Sequence, residues 1–366
     1  MTPSGAALRH TTTRSQILAA RRGRARAPVR ITALRVADGP DSYTQAEVLA
    51  RLGLAGDESA EGVFARCGVQ RRFLNLSHEF LSTPQPDRAA GVEDELLERT
   101  VTAVDALGAD LGSVQTIITS SLHSPGCPTI AHRLVDHYGL SPSVDKYHVS
   151  GVGCASAVPL MRLALSAQQA HPDRDTLVIA AESMSSLLTP ARPEDPKAKT
   201  IGAAIFGDGC AAALLSGGEG GEGPAIAATA VHQVPDSLHA VTLARSGEDS
   251  YLHLARDLPE IGASELPAVL DTFLAEQRLS RDSIDHWMVH PGGRRIVEGV
   301  QDALGLTRED TATSWESLAD HGNVGTPSIF YVLKATCESC DPSPGDHGLA
   351  ITIGPGVSVG LMLLRW

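Results

Sequence analysis

The 366-residue sequence lacks the features that would place it in a membrane or on nucleic acid. It has no run of 18 or more apolar residues, so no transmembrane helix and no membrane partner are expected. Lysine and arginine total 30 against 43 acidic residues, and the formal net charge of −13 argues against nucleic acid as the main ligand. An anionic substrate must therefore be held by a local basic patch.

Cysteine is scarce as well, with six residues in the chain and no recognisable secretory signal. This combination predicts reduced thiols, no disulfide bonds and a cytoplasmic location. Cys337 and Cys340 form a CxxC pair without a second pair, so ordinary thiols are predicted. His232 and His239 also lack further ligands at metal-binding spacing, and no metal site is expected.

Basic and glycine-rich stretches suggest how the chain is divided. Residues 1–30 contain seven arginines and no acidic residue; a flexible basic tail over residues 1–28 is predicted, although the composition also resembles a transit peptide. The glycine-rich residues 216–224 lack the GK[ST] ending of a phosphate loop and are interpreted as a linker. The predicted units are an N-terminal half at 29–218 and a C-terminal half at 225–366.

Strand-like and helix-like patterns alternate in both halves, which predicts an α/β protein with a mostly parallel sheet covered on both faces. The main predicted strands are 115–120, 147–150, 176–181, 211–215 and 284–290, with a closing hairpin of 349–353 and 357–364. The main predicted helices are 92–111, 130–138, 155–170, 259–277, 294–304 and 328–337.

Residues 150–159, SGVGCASAVP, place Cys154 on a turn between a strand pattern and a long apolar helix. Unpaired backbone N–H groups and the positive end of the helix dipole favour an anion there, so the thiol is expected to ionise readily. Gly151 and Gly153 allow a sharp turn and the close approach of a substrate. Because a free cysteine is often simply buried, a role as nucleophile needs support from other residues.

Two motifs in the second half supply that support. His290, in HPGG, ends a predicted strand, and the following proline and glycines leave its ring free of neighbouring bulk. Asn323, in HGNVGTPS, precedes an apolar helix, where its amide either caps the helix or donates a hydrogen bond into a cavity. If the two halves pack back to back, the helix that follows Cys154 and the helix that follows Asn323 begin at a shared centre.

With GVGC, IFGDG, HPGG, GN and the terminal GPG, residues 29–366 resemble the type III polyketide synthases, chalcone-synthase-like condensing enzymes. Through SYTQAEVL, RRFLNL, IDHWMVHPGG and LLRW the chain looks most similar to the bacterial 3,5-dihydroxyphenylacetyl-CoA synthases. The resemblance implies the thiolase fold, with duplicated βαβαβ halves in five αβαβα layers, and a homodimer. It also implies that Cys154 carries the growing chain and that His290 and Asn323 complete a triad.

The resemblance extends to the substrate cavity. Phe206, in IFGDG, matches a phenylalanine that separates the coenzyme A tunnel from the elongation cavity, and Thr119 and Gly202 match positions in the cavity wall. Leu252 replaces a second gatekeeper phenylalanine, and Gly325 replaces a small polar cavity residue. These two departures leave the chemistry intact but leave the starter and the product open.

Two further departures concern loops. Thr352 and Ile353 change the start of the family's Gly-Phe-Gly-Pro-Gly loop, and Ser124 stands where plant members place a methionine that reaches into the partner's cavity.

An arginine cluster stands out against the acidic background. Arg66, Arg71 and Arg72 could bind phosphate groups or could form a solvated surface cluster. The resemblance places Arg66 where a basic residue contacts coenzyme A.

The chemistry of these residue types agrees with the resemblance. A Cys154 thiolate beside a His290 imidazolium would attack an acyl-CoA thioester and release coenzyme A. Malonyl-CoA would then lose carbon dioxide, and His290 and Asn323 would stabilise the enolate that attacks the Cys154 thioester. Repetition gives a poly-β-keto chain that cyclises to a resorcinol-type, arylacetyl or pyrone product. The starter is an acyl-CoA, which could itself be malonyl-CoA, and no cofactor is expected.

Two alternatives remain open from the sequence. A ketoacyl synthase III-like enzyme would perform one condensation, with a carrier protein as a possible partner. A non-catalytic acyl-CoA binder on the same scaffold would keep the fold without turnover.

Overall fold

The computed structural model describes residues 28–122, 126–218 and 222–366. The predicted tail, apart from residue 28, and Ser124 lie outside the described residues. The strands are β1 Val29–Asp38, β2 Asp41–Thr44, β3 Arg71–Leu74, β4 Val114–Ser120, β5 Asp145–Val149, β6 Asp175–Glu182, β7 Gly209–Gly217, β8 Ala225–Gln233, β9 Val241–Ser246, β10 Asp249–Leu254, β11 His286–Val289, β12 His347–Gly354 and β13 Ser358–Arg365. The α-helices are α1 Gln45–Arg51, α2 Glu58–Arg66, α3 His78–Ser82, α4 Ala89–Asp105, α5 Ile130–Tyr138, α6 Ala157–Ala170, α7 Lys197–Ile205, α8 Leu258–Ser264, α9 Leu266–Glu276, α10 Arg294–Leu304, α11 Ala312–His321 and α12 Ser328–Ser339.

Within the described residues, nine strands join in the order β11-β12-β13-β8-β1-β7-β6-β4-β5. The prediction of a mostly parallel sheet is wrong, because only β4–β5, β4–β6 and β11–β12 run parallel. Where the chain returns to a neighbouring strand without a crossover helix the pairing is antiparallel, as in the β12–β13 hairpin closed at Gly354 and Ser358.

The two halves repeat one strand order. The series β1-β7-β6-β4 corresponds to β8-β13-β12-β11, and the pair Arg30 and Ala225 links β1 to β8. Helices α6 and α12 are packed together with side chains of both halves in one apolar core. Helices α4 and α5 cover one outer face, and α9 and α10 cover the other. This layering confirms the predicted αβαβα arrangement.

One predicted helix is interrupted in the structure. Residues 259–277 form α8 and α9 rather than a single helix, with the break at Glu265. Pro267 lies in the first turn of α9, where a missing backbone N–H costs nothing because that group has no partner inside the helix. No helix in the described segments is long and apolar enough to cross a membrane.

Candidate active site

Cys154 lies in the 3₁₀ turn Gly153–Ser156 that leads into α6. Gly153 adopts a left-handed φ of 59°, and a Cβ at this position would lie 2.8 Å from the ring of Pro355. The loop between β12 and β13 is thus packed directly on the turn that carries the thiol. Only glycine meets both the conformation and the close approach.

The side-chain amide of Asn323 is held in one orientation. Its Oδ1 accepts the backbone N–H of Gly325 at 2.9 Å and lies 3.9 Å from the Cys154 sulfur. Because Gly325 N–H is a donor, the oxygen must face it, and Nδ2 is directed to the opposite side, 3.4 Å from the carbonyl of Gly292. One N–H of the amide thus donates to Gly292, and the second N–H is left for a further acceptor.

His290 follows β11 and is only 1% exposed. Its backbone N–H donates to the carbonyl of Ile351 at 2.8 Å, which fixes it at the end of the sheet. Neither ring nitrogen has a hydrogen-bond partner among the described residues. No hydrogen bond from the described residues therefore competes for the ring nitrogens.

The charge states of the thiol and the imidazole differ from the sequence-based expectation. Burial raises the pKa of Cys154 to about 12, with a further increase from the Glu182 carboxylate, and burial lowers the pKa of His290 to about 4. The expected ready ionisation of Cys154 is therefore wrong, because burial outweighs the hydrogen bonds with Asn323 and the backbone that lower its pKa. Each group therefore favours its neutral form.

Cys154, His290 and Asn323 line one cavity of about 50 Å³. The described residues that complete its wall are mainly aliphatic and include Leu122, Met184, Val241, Leu254, Leu258, Ile296 and Ile353. This volume is far below the roughly 300 Å³ of small ligand pockets, so an acyl chain must displace side chains to enter.

Three of the five predicted cavity residues line the cavity, and two do not. Phe206, Leu252 and Gly325 line the cavity. Gly202 lies behind Phe206, and a Cβ there would be 3.3 Å from the phenylalanine ring. Thr119 is not among the lining residues that the structure describes; it is fully buried, and its hydroxyl contacts His148 Nδ1 at 2.8 Å.

Glu182 is a site residue that the sequence reasoning missed. It ends β6, lines the cavity and accepts the backbone N–H of Leu122 at 2.8 Å. Its second oxygen lies 3.2 Å from the Thr326 hydroxyl, which is also 3.0 Å from the carbonyl of Gly153. The single hydrogen of the Thr326 hydroxyl cannot be donated to both oxygens. A protonated Glu182 resolves this, because it donates to the Thr326 hydroxyl while that hydroxyl donates to the Gly153 carbonyl. Burial raises the pKa of Glu182 to about 8. The available signal was an acidic residue at the end of the apolar strand TLVIAAE.

A larger cavity of about 790 Å³ adjoins the thiol cavity. Leu254, Leu258, Gly292 and Ile296 line both cavities, so the two share a wall, and the larger one is called the mouth below. The mouth is basic, lined by Arg66, Lys197, Arg256, Arg294 and Arg295.

The predicted arginine cluster divides into three environments. Arg66 lines the mouth, whereas exposed Arg71 pairs with Asp320 at 3.2 Å. Arg72 is fully buried and donates to the carbonyl of Phe206 at 3.2 Å. Only Arg66 is placed to meet a ligand in the mouth. In the described part of the chain, no group of three or more His, Cys, Asp and Glu side chains could hold a metal ion.

Comparisons with known families cover most of the chain. Residues 78–228 match the family described as FAE1/Type III polyketide synthase-like protein. Residues 225–366 match the family described as chalcone and stilbene synthases, C-terminal domain.

Individual proteins also match over most of the chain. The chain is 31% identical over 268 residues to 1,3,6,8-tetrahydroxynaphthalene synthase of Streptomyces peucetius subsp. caesius, covering 72% of this chain and 70% of the relative. It is 27% identical over 341 residues to 3,5-dihydroxyphenylacetyl-CoA synthase of Amycolatopsis balhimycina, covering 89% and 90%. The crystal structure of PKS-I from the brown alga Ectocarpus siliculosus superimposes with a TM-score of 0.82 at 26% identity, covering 93% of this chain and 98% of that one.

Proposed function

Because this chain belongs to the type III polyketide synthases, we propose that it extends an acyl-CoA starter, held on Cys154, by repeated decarboxylative condensation with malonyl-CoA. The observation that carries these assignments is the convergence of Cys154, His290 and Asn323 on one cavity, which shares a wall with the basic mouth. The thiol, the ring and the amide supply a nucleophile, a base and a donor.

The first step is loading of the starter. His290 accepts the Cys154 proton, and the sulfur attacks the thioester carbonyl of the acyl-CoA. The carbon–sulfur bond to coenzyme A breaks, coenzyme A leaves as a thiol after taking the proton, and the acyl group remains on Cys154. The apolar wall around the thiol keeps water from the thioester.

The second step makes the carbon–carbon bond. Malonyl-CoA loses carbon dioxide, and the negative charge that develops on the thioester oxygen accepts hydrogen bonds from His290 and from Asn323 Nδ2. The enolate carbon attacks the Cys154 thioester, which transfers the chain to coenzyme A and frees the sulfur. The lengthened chain then reloads Cys154.

The mouth is suited to coenzyme A. Coenzyme A carries a diphosphate and a 3′-phosphate, and the arginines and lysine of the mouth supply cations for them on an otherwise acidic protein. Arg66 at the end of α2 and Arg295 on α10 lie on different elements that line this cavity. We assign both residues to phosphate binding.

The relatives indicate a class of product. They include synthases of tetrahydroxynaphthalene, of dihydroxyphenylacetyl-CoA and of α-pyrones. We propose a cyclised resorcinol-type, arylacetyl or pyrone product made without a cofactor beyond the coenzyme A thioesters. The described cysteines are all free, in keeping with a cytoplasmic enzyme.

A free sheet edge supports a homodimer. Strand β5 ends the nine-stranded sheet, and its Tyr147 is 50% exposed. Leu163 on α6 is a further exposed apolar side chain, at 39%. An uncovered edge strand pairs readily with another strand, so we propose that β5 of a second copy completes the sheet.

Product analysis tests the proposal. Purified protein is incubated with malonyl-CoA alone and then with added acyl-CoAs, and the products are identified by mass spectrometry. Products that contain several malonyl-derived units without a carrier protein are expected. A single addition that requires a carrier protein would instead support the ketoacyl synthase III-like alternative, and no turnover would support the binding-protein alternative.

A further inference from the structure

The β9–β10 hairpin forms part of the wall around Cys154 without belonging to the nine-stranded sheet. Among the described residues, its two strands pair only with each other. Val241 on β9 and Leu252 and Leu254 on β10 line the thiol cavity. Because an isolated two-stranded hairpin is marginally stable in water, the position of this wall depends on the contacts that attach the hairpin to the rest of the protein.

A cluster of ion pairs attaches the turn of the hairpin. The carboxylate of Asp249, the first residue of β10, lies 2.5 Å from Arg192 Nη2 and 3.7 Å from Lys199 Nζ. The Asp195 carboxylate lies 2.9 Å from the same lysine nitrogen and accepts the hydroxyl of Ser246, the last residue of β9, at 3.0 Å. The cluster therefore joins both strands of the hairpin to α7 and to the residues just before it.

Most of this cluster is removed from water. The side chains of Asp195, Lys199 and Asp249 are 8%, 10% and 11% exposed. Exposed ion pairs contribute little to stability, whereas removing one partner of a buried pair leaves a charge that neither water nor a counter-charge stabilises. The cluster is therefore expected to hold the hairpin more firmly than a pair on the surface would.

Both elements that meet at the cluster continue to the thiol cavity. Lys199 lies on α7, which ends directly before Phe206, and Asp249 begins the strand that carries Leu252. A Cβ at Gly202 would lie 3.3 Å from the Phe206 ring and 3.9 Å from the carbonyl oxygen of Leu252, so α7 and β10 are packed together beside the cavity. Leu252 is roughly 10 Å along an extended strand from Asp249, so a displacement of the strand end reaches the wall.

We propose that the ion cluster of Arg192, Asp195, Lys199 and Asp249 limits the size of the acyl starter by holding the β9–β10 hairpin against α7. The inference rests on the proposed function in taking an acyl thioester as the occupant of the thiol cavity. None of the four residues is among the lining residues that the structure describes, so they act as positioning residues through the hairpin.

The volume of the cavity explains why the hairpin would limit size. At about 50 Å³ the cavity admits an acyl chain only when its wall yields, and the hairpin supplies three of the aliphatic side chains in that wall. A firmly held hairpin favours short starters, whereas a loosened hairpin admits longer chains.

A second attachment keeps the hairpin in place when the cluster is broken. The Gln85 side chain donates to the carbonyl of Ser250 at 2.8 Å and accepts the backbone N–H of Ser250 at 2.5 Å. Neither contact involves a charge. Asp249→Asn keeps the shape of the side chain and removes only its charge, so it is expected to loosen the hairpin without unfolding the protein.

Hydrogen exchange tests the attachment without any substrate. The backbone amides of residues 241–254 are expected to exchange at least about tenfold faster in Asp249→Asn than in the wild type. Lys199→Met, which removes the opposite charge from α7, is expected to act in the same direction. The amides of β12 serve as a reference for global stability. Equal exchange of the hairpin in Asp249→Asn and wild type would overturn the proposal, as would an equal acceleration of β12 and the hairpin.

Alkylation of Cys154 tests the size limit without turnover. The rate with N-decyl iodoacetamide is divided by the rate with iodoacetamide, so that the intrinsic reactivity of the thiol cancels. Peptide mass spectrometry measures this ratio, which is expected to rise about tenfold in Asp249→Asn as the open hairpin becomes more populated. Asp271→Asn, which breaks an ion pair with Arg281 on α9, is the matched control and should leave the ratio unchanged. An unchanged ratio in Asp249→Asn would overturn the proposal.

Turnover of the same variants separates this inference from the proposed function. The kcat/KM for decanoyl-CoA relative to that for acetyl-CoA is expected to rise in Asp249→Asn together with the alkylation ratio. A raised alkylation ratio without turnover of any acyl-CoA by the wild type would support the size limit and refute the proposed function. Turnover with an unchanged kcat/KM ratio in Asp249→Asn would overturn the size limit and leave the condensation roles intact.

Discussion

The backbones of Phe206 and Asn323 are paired as a short parallel bridge. Asn323 N–H donates to the carbonyl of Ile205 at 2.7 Å, and Gly207 N–H donates to the carbonyl of Asn323 at 3.1 Å. Phe206 belongs to the first half of the chain and Asn323 to the second. The residue at the cavity wall and the amide donor are therefore fixed relative to each other by the backbone, and side-chain changes at either can be made without moving the other.

Asn323→Asp tests the amide donor. The carboxylate keeps an oxygen for the N–H of Gly325 but loses the Nδ2 donor and adds a negative charge beside the enolate. Loss of one such donor typically slows a reaction about 10²- to 10³-fold, and malonyl-CoA decarboxylation is expected to fall by that factor. Carbon dioxide release measures the effect, and an unchanged melting temperature controls for folding. A decrease of less than about threefold would remove Asn323 from the catalytic role.

Cys154→Ala separates loading from decarboxylation. Without the sulfur, the starter is not bound covalently and no polyketide forms, while slow decarboxylation of malonyl-CoA persists because His290 and Asn323 remain. Intact-protein mass spectrometry after incubation with acyl-CoA measures loading, and carbon dioxide release measures decarboxylation. Polyketide formation at the wild-type rate would contradict the assignment.

Glu182→Gln tests the buried carboxyl group. The pKa of Glu182 is raised in the folded state, so the folded protein binds more protons than the unfolded chain between about pH 4.5 and 8, and stability falls as pH rises through this range. Glutamine does not titrate. Between pH 5 and pH 8 the wild type is expected to lose at least about 1 kcal/mol of unfolding free energy relative to the variant, as measured by urea unfolding. If the unfolding free energies of wild type and variant differ by the same amount at pH 5 and at pH 8, Glu182 is not buried in a neutral form.

Phe206→Ala tests the cavity wall. Removing the ring enlarges the cavity around the thiol, so the variant is expected to accept bulkier acyl-CoA starters or to make longer chains. Leu252→Phe is the opposite change in the same cavity and is expected to shorten the products. Competition among a panel of acyl-CoAs, read by product mass spectrometry, measures both. An identical product set for Phe206→Ala and wild type would exclude Phe206 as a gatekeeper.

Tyr147→Glu tests the proposed dimer. A charge on the free edge strand β5 disfavours pairing with a second copy, so the variant is expected to sediment as a monomer at micromolar concentration. Leu238→Glu is the matched control, because Leu238 is 68% exposed but belongs to the segment between β8 and β9 rather than to β5. A monomeric wild type, or an equal effect of both variants, would argue against this interface.

Some features of the fold and site could be predicted from local patterns. The glycines around Cys154, the HPGG turn after β11 and the GPG turn between β12 and β13 are local signals, and the structure has turns at all three places. The layered fold followed from alternating strand and helix patterns together with the family resemblance.

Features that depend on long-range packing were not predictable in this way. Whether neighbouring strands run parallel depends on the positions of β7, between β1 and β6, and β13, between β8 and β12. The local patterns do not contain these positions, so the expectation of a mostly parallel sheet was wrong. The charge states of Cys154 and His290 depend on burial from both halves. Arg72 looks like Arg71 in the sequence, yet one is buried and the other is exposed.

The position of β13 bears on the turn that carries Cys154. The loop before this strand packs Pro355 against Gly153, where a Cβ would lie 2.8 Å from the proline ring. Since β13 is paired with β12 on one side and β8 on the other, both pairings hold this loop in place. Local unfolding of the β12–β13 hairpin would therefore also release the turn at Cys154.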